Sequence, residues 1–214
     1  MSVTLDFDWG IDRGQIAKIR FQGLDHEEPL PGSSVLYSFR KGYEDNVSAV
    51  LKHSPDEAKK QLDAAGWKPG ADGVREKDGK RLEVGYTLLG DDALGKATAG
   101  AFAAMLKPVG IRLNIKKADE ADFSTILSDR KFDLFLSGNR SMDPFGARCL
   151  CDFSCSDRDS NLTGAGSPEL DKEIRATTEI ADVDEQVAAV NKVEREALQE
   201  YALPPCTAGP RRTA

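Results

Sequence analysis

Long apolar runs are missing from this 214-residue sequence. A helix needs about 18 or more consecutive apolar residues to cross a bilayer, so no membrane span is expected. No export signal is expected from the first residues either. The start, Met1-Ser-Val-Thr-Leu-Asp-Phe-Asp-Trp9, carries acids where a signal peptide has a basic and then an apolar segment. Clustered positive charge is the third absence. Net charge is −7 and the basic residues stand singly among acids, which argues against a nucleic-acid face and describes solvated helix surfaces.

Catalytic motifs are equally scarce. There is no G-x-S-x-G, no H-E-x-x-H, no Walker loop and no dinucleotide glycine pattern after a strand. Gly164-Ala-Gly166-Ser-Pro-Glu169 ends in glutamate and follows a loop, so it reads as a turn before a helix. The two histidines, His26 and His53, fall in polar loops with no ligand cluster around them. Asp91-Asp92 at a strand end could hold a cation, but capping the next helix explains it more simply. Neither an enzyme nor a bound cofactor is expected.

What is present is an ordinary soluble balance of 40 % hydrophobic and 30 % charged residues. Three of the four cysteines (Cys149, Cys151 and Cys155) lie within seven residues, and Cys206 is distant. C-x-C-x3-C with a remote fourth could describe zinc, yet the spacing is uncommon and no histidine is near. A local disulfide or free thiols are preferred, with Cys151–Cys155 the best pair across a short loop.

Along the chain, Asp12 to Gln22 reads as a helix capped by Asp12, with Ile16 and Ile19 inward and Gly23 ending it. Leu24 to His53 shows no sustained period, and a loop that long is usually functional or a docking segment. Ser54-Pro55-Asp56-Glu57 predicts a capping box, with Ala58, Leu62 and Ala65 on one helix face and Gly66 stopping it. Lys77-Asp78-Gly79-Lys80 predicts a hairpin tip.

From there a pattern of alternating periods begins. Leu82, Val84, Tyr86 and Leu88 predict a half-buried strand. Asp92 to about Lys107 predicts a helix burying Leu94, Ala97, Ala101, Phe102, Met105 and Leu106. Ile111, Leu113 and Ile115 give a strand, Asp122 to Arg130 a short helix, and Phe132, Leu134 and Leu136 a third strand. The series β-α-β-α-β predicts an α/β fold with a mostly parallel sheet flanked by helices. After a cysteine-bearing loop, Ser167-Pro168-Glu169 starts one helix, and a last helix runs from about Asp184 to Tyr201.

The stretch after the third strand, through Asn139, Arg140, Ser141 and Asp143-Pro144, sets polar groups where the carboxyl end of a strand would meet a cleft. Ligands sit there in open α/β sheets. Taken alone, Asp143-Pro144 reads as a turn with an Asx hydrogen bond to its own backbone.

Several phrases match one family in order. Ile11-Asp-Arg-Gly-Gln-Ile-Ala17 resembles the "aldReaia" segment of bacterial extracellular solute-binding proteins, family 5. Ser54-Pro-Asp-Glu-Ala-Lys-Lys-Gln-Leu-Asp-Ala-Ala-Gly-Trp67 resembles that family's "dpekAkklLdeAGw", the most specific match. Lys77 to Leu82 resembles "dGkpLelt", Phe132 through Asp143-Pro144 resembles "fDlalsgwgadypDP", Ser167 to Asp171 resembles "snpelDkll", and Ala202-Leu-Pro204 resembles "aPiiPly". Asn139 stands where the family pattern has tryptophan.

The resemblance implies the second lobe of a type II periplasmic-binding fold over residues 11–206, with 1–10 an unstructured or non-native start and 207–214 a frayed tail. It implies a non-enzymatic substrate-binding component of an ABC transporter for oligopeptides, dipeptides or nickel. Asn139, Arg140, Ser141 and Asp143 would contact a peptide or similar small polar solute, with Asp143 facing its amino terminus. The implied partners are the transporter's permease subunits, and the implied location is extracytoplasmic, at the periplasm or cell surface. A chain without a signal peptide would be cytoplasmic if made independently. As one lobe alone it is expected to bind weakly or not at all and to self-associate; the alternative is a truncated or relict lobe acting only as an interaction module.

Overall fold

The structure, a computed structural model, describes residues 9–23, 30–136, 143, 145–161 and 166–200. In chain order these form α1 (Arg13–Arg20), α2 (Asn46–Val50), α3 (Pro55–Ala64), β1 (Lys68–Pro69), β2 (Arg75–Lys77), β3 (Lys80–Arg81), β4 (Glu83–Leu89) and α4 (Ala93–Leu106). They continue with β5 (Arg112–Ala118), α5 (Phe123–Ser128), β6 (Leu134–Phe135), α6 (Ala147–Ser154), α7 (Pro168–Thr177) and α8 (Val183–Glu200). The chain divides into two compact units; among the described residues, 9–23 and 53–136 make the first, and 30–52 with everything from 143 onward makes the second.

In the first unit the helix starts follow the capping chemistry. Asp12 accepts a hydrogen bond from the Gln15 amide at 3.1 Å, and Ser54 Oγ accepts from the Glu57 amide at 3.3 Å with Pro55 leading α3. The capping box is only half formed. The Glu57 carboxylate turns to Lys60 and Gln61, while the Ser54 amide donates to the Trp9 carbonyl at 2.9 Å. Ala58 and Leu62 are fully buried.

The hairpin forms where expected, with Lys77 facing Lys80 and Asp78 and Gly79 at φ of 52° and 74°. Positive φ at both central residues is the backbone of a type I′ turn. One further strand, β1, not visible in the sequence, joins it, giving a small antiparallel sheet in the order β1-β2-β3.

The parallel sheet has the order β5-β4-β6, both pairings parallel, with Glu83 opposite Arg112 and Tyr86 opposite Leu134. Its central strand differs from the half-buried strand expected: Gly85 and Thr87 are buried as well as Tyr86 and Leu88, so both faces of β4 are covered, as is usual in a parallel sheet. The face of α4 is also rotated from the expected one. Thr98, Ala99, Phe102 and Leu106 are buried, whereas Leu94 is 38 % exposed and Ala97 is exposed. Packing of Phe102 on Tyr86, ring centroids 5.8 Å apart, sets that face, and Thr98 satisfies its hydroxyl on the Leu94 carbonyl at 2.8 Å.

The second unit packs α6, α7 and α8 around a core that includes Leu150, Cys155, Leu170, Ile174, Val190 and Val193. The unpatterned stretch before Ser54 supplies Val35 and Leu36 to this core and contains the short helix α2, capped by Asp45. Its polar residues are pinned by Glu194 of α8. That buried carboxylate accepts hydrogen bonds from Ser33 Oγ (2.8 Å), the Ser34 amide (2.6 Å) and Asn46 Nδ2 (2.6 Å). Burial holds the Glu194 carboxyl above its ordinary range, with the hydrogen bonds from Asn46, Ser33 and Ser34 acting the other way.

Candidate ligand-binding site

Asp133, two residues before the end of β6, accepts a hydrogen bond from the Gly85 amide at 2.7 Å, so a side chain extends the short pairing of β6 with β4. A Cβ on Gly85 would lie 2.8 Å from that carboxylate oxygen. Asn139, Arg140, Ser141 and Pro144 lie outside the described residues. Asp143 is described and half-buried in the second unit.

The Asp143 carboxylate has a definite local task. Its Oδ1 accepts from the Phe145 amide at 3.0 Å, and its Oδ2 accepts from the Arg148 amide at 2.7 Å. Gly146, the residue immediately before α6, has no side chain to cap with and sits at φ 80°. Asp143 therefore supplies the acceptor that the helix start needs, and its negative charge lies at the positive end of the helix. This is the Asx arrangement foreseen for Asp143-Pro144, extended into a helix cap.

The stretch expected as a cysteine-bearing loop is a helix over most of its cysteines. Ala147, Leu150, Cys151 and Ser154 are buried at helical spacing, a period hidden in the sequence by the cysteine pattern. Cys151 and Cys155 are joined by a disulfide across the end of α6, and Cys149 is buried in the same core outside that bond. Cys206 lies outside the described residues. No cluster of His, Cys, Asp and Glu suited to a metal ion occurs among the described residues.

His53 is exposed, and His26 lies outside the described residues. Asp92 caps α4 through the Gly95 amide at 2.8 Å, and Asp91 pairs with Lys96 and Lys117, whose ammonium groups hold its carboxyl below the ordinary range.

One polar residue of the first unit went unnoticed in the sequence. Arg75 is buried, and its guanidinium donates to Asp63 (2.6 Å), the Trp67 carbonyl (2.8 Å), the Val109 carbonyl (2.9 Å) and the Lys59 carbonyl (3.3 Å). Its role is to tie α3, the hairpin and the turn after α4 together. Nothing local distinguishes it from the exposed arginines.

Residues 7–159 match the family model described as bacterial extracellular solute-binding proteins, family 5 Middle. The chain is 32 % identical over 203 residues to the oligopeptide-binding protein OppA of Mycobacterium tuberculosis, covering 94 % of this chain and 34 % of that protein. It spans about a third of the length of this curated relative. Among solved structures it resembles the periplasmic EDTA-binding protein EppA, with a TM-score of 0.82 at 20 % identity over 96 % of this chain and 39 % of that one. It also resembles the oligopeptide-binding protein AppA from Bacillus subtilis in complex with a nonapeptide, with a TM-score of 0.74 at 18 % identity over 92 % and 39 %. The two structural likenesses establish the α/β fold with its parallel sheet and flanking helices.

Proposed function

Because the chain belongs to bacterial extracellular solute-binding protein family 5, a family of non-enzymatic transport components, we propose that it forms part of the substrate-binding component of an ABC transporter. The solute is a peptide or a similar small polar molecule, and the partners are the transporter's permease subunits. Residues 11–206 act as the second-lobe segment, on the extracytoplasmic side. Among the described residues no helix is long and apolar enough to cross a membrane.

The observation that carries this reading is the family match over 7–159, which includes the polar run Asn139, Arg140, Ser141 and Asp143. In it Asp143 faces the peptide ammonium, and Asn139, Arg140 and Ser141 offer donors to carbonyls or carboxylates. A carboxylate has about four lone-pair positions, so capping α6 and accepting from an ammonium are compatible tasks.

Measured on this chain alone, contacts come only from the residues it contains. Two or three charge-assisted hydrogen bonds of roughly 1.5–3 kcal/mol each, less the cost of association, correspond to a Kd of about 1 mM or weaker. Titration of labelled protein with di- to pentapeptides, followed by amide chemical shifts, tests it. Saturable shifts at 143, 145 and 146 in the millimolar range support the reading. No saturable shift there contradicts peptide contact, and micromolar affinity contradicts the one-sided contact.

A second reading, a lobe that docks without binding solute, is favoured by one observation. Tyr37 and Phe39 stack with centroids 5.4 Å apart while 42 % and 56 % exposed, and the Arg40 guanidinium lies 5.6 Å from the Phe39 ring. Light scattering tests this: concentration-dependent self-association, lost in Tyr37→Ser/Phe39→Ser, supports it, and a monomer at all concentrations contradicts it.

A further inference from the structure

The second unit carries a pocket of about 350 Å³ between α6 and α7, none of whose lining residues belongs to the polar run 139–143. Its size is at the lower end of small-molecule sites, roughly 300–1,000 Å³. The floor is apolar, made by the buried residues Ala147, Cys151 and Ile174. Three arginines line it: Arg148 from α6, Arg158 from the turn after Cys155, and Arg175 from α7.

Three cations around an apolar floor are unusual on a chain of net charge −7. The pairing of these cations is incomplete. Arg175 donates through Nη2 to both oxygens of Asp157, at 2.5 and 2.7 Å, and Asp157 is the carboxylate that neutralises it. Neither the Arg148 nor the Arg158 side chain makes a hydrogen bond to any described residue. Asp157 also feels the charge of Arg158, and Asp171 that of Arg175, so two carboxylates share the charge of three arginines.

The backbone that carries Arg158 is held as well. Its amide donates to the Cys155 carbonyl at 3.3 Å, and buried Asn161 donates to the same carbonyl through Nδ2 at 3.0 Å. Cys155 is in turn bonded to Cys151 in the floor. The turn bearing Arg158 is thereby anchored to the helix bearing Arg148.

We propose that this pocket binds a carboxylate carried on an apolar group. Guanidinium donors match carboxylate geometry, and Ala147, Cys151 and Ile174 take the apolar part. Such a ligand is either a free organic acid or the C-terminus of a peptide ending in an apolar residue. The proposal does not rest on the Asp143 reading, because it uses no amino terminus and none of the residues 139–143.

The test is amide chemical-shift titration of the whole chain with 3-phenylpropionate, 3-phenylpropionamide, and N-acetyl-Ala-Ala-Phe with a free or an amidated C-terminus. Saturable shifts at Arg158 and at 174–178 are expected with 3-phenylpropionate. Losing a charge-assisted hydrogen bond weakens binding by about tenfold or more, which is the expected loss for the neutral amide and for Arg148→Gln/Arg158→Gln. Arg148→Lys/Arg158→Lys is expected to recover part of it. If the N-acetylated free acid binds and its amide does not, peptide C-termini are a source; if only 3-phenylpropionate binds, the ligand is a small organic acid. Equal binding of acid and amide, no effect of the double Gln variant, or no saturable shift at these amides would overturn the proposal. N-acetylation removes the amine that Asp143 would need, so the two sites fail separately.

Discussion

The Arg148 amide donates to Asp143 Oδ2 at 2.7 Å, and through this bond a residue four positions before α6 closes the helix's first turn. Asp143→Ala leaves the Phe145 and Arg148 amides without that acceptor. The expected loss of stability is about 1 kcal/mol, the usual cost of removing a helix cap, with Asp143→Asn intermediate because one oxygen remains. Urea unfolding of the three proteins measures it.

Glu194 gives a pH dependence opposite in sign to that of a surface carboxylate. Burial raises its carboxyl above 4.5 in the folded chain, while the unfolded chain holds it near that value. Between the two values the folded state binds more protons, so stability falls as pH rises through the window, and the cost is fully present above it. Relative to Glu194→Gln, the native protein is expected to gain stability as pH drops into that window. Urea unfolding across pH measures the difference between the two proteins, and a difference independent of pH would contradict the account.

Gly110 is needed for two reasons at once. It sits at φ 91°, and a Cβ there would lie 2.7 Å from Arg75 Cγ, deep in the side chain rather than at its mobile end. Gly110→Ala is expected to cost about 1–3 kcal/mol, the range for holding a non-glycine residue in a left-handed conformation, with the clash adding to it. Thermal unfolding checks this, and Gly73→Ala, where nothing lies within 4 Å and φ is 83°, separates backbone strain from the clash.

The Cys151–Cys155 bond spans four positions. A loop that short removes little entropy from the unfolded chain, so reduction is expected to cost about 2 kcal/mol on the chain-entropy account. Unfolding with and without reductant measures the cost. Alkylation followed by mass spectrometry should label Cys151 and Cys155 only after both reduction and unfolding, since both are buried in the folded chain.

The parallel sheet was legible because each strand and helix announces its own period: Tyr86 and Leu88 alternate, and Phe102 and Leu106 recur every turn. Which strand lies in the middle was not legible, since that depends on pairing between residues far apart, such as Tyr86 with Leu134. The same holds for polar residues. Ser33 and Glu194 are 161 positions apart, and neither looks buried until the other is in place. At the candidate site the sequence identified Asp143 and its turn chemistry, but not that the turn leads straight into a helix. The cysteine spacing suggested a loop, and burial of Leu150 and Cys151 decided otherwise.

The central claim, that the run ending at Asp143 receives a peptide amine, is tested most directly by titrating the native protein and Asp143→Asn with trialanine and N-acetyl-trialanine. Amide shifts at 145 and 146 are the readout. The account predicts saturable binding of trialanine to the native protein, weakened about tenfold or more by either N-acetylation or the Asn substitution, as loss of a charge-assisted contact requires. Equal binding of the two peptides, or of one peptide to the two proteins, would contradict it.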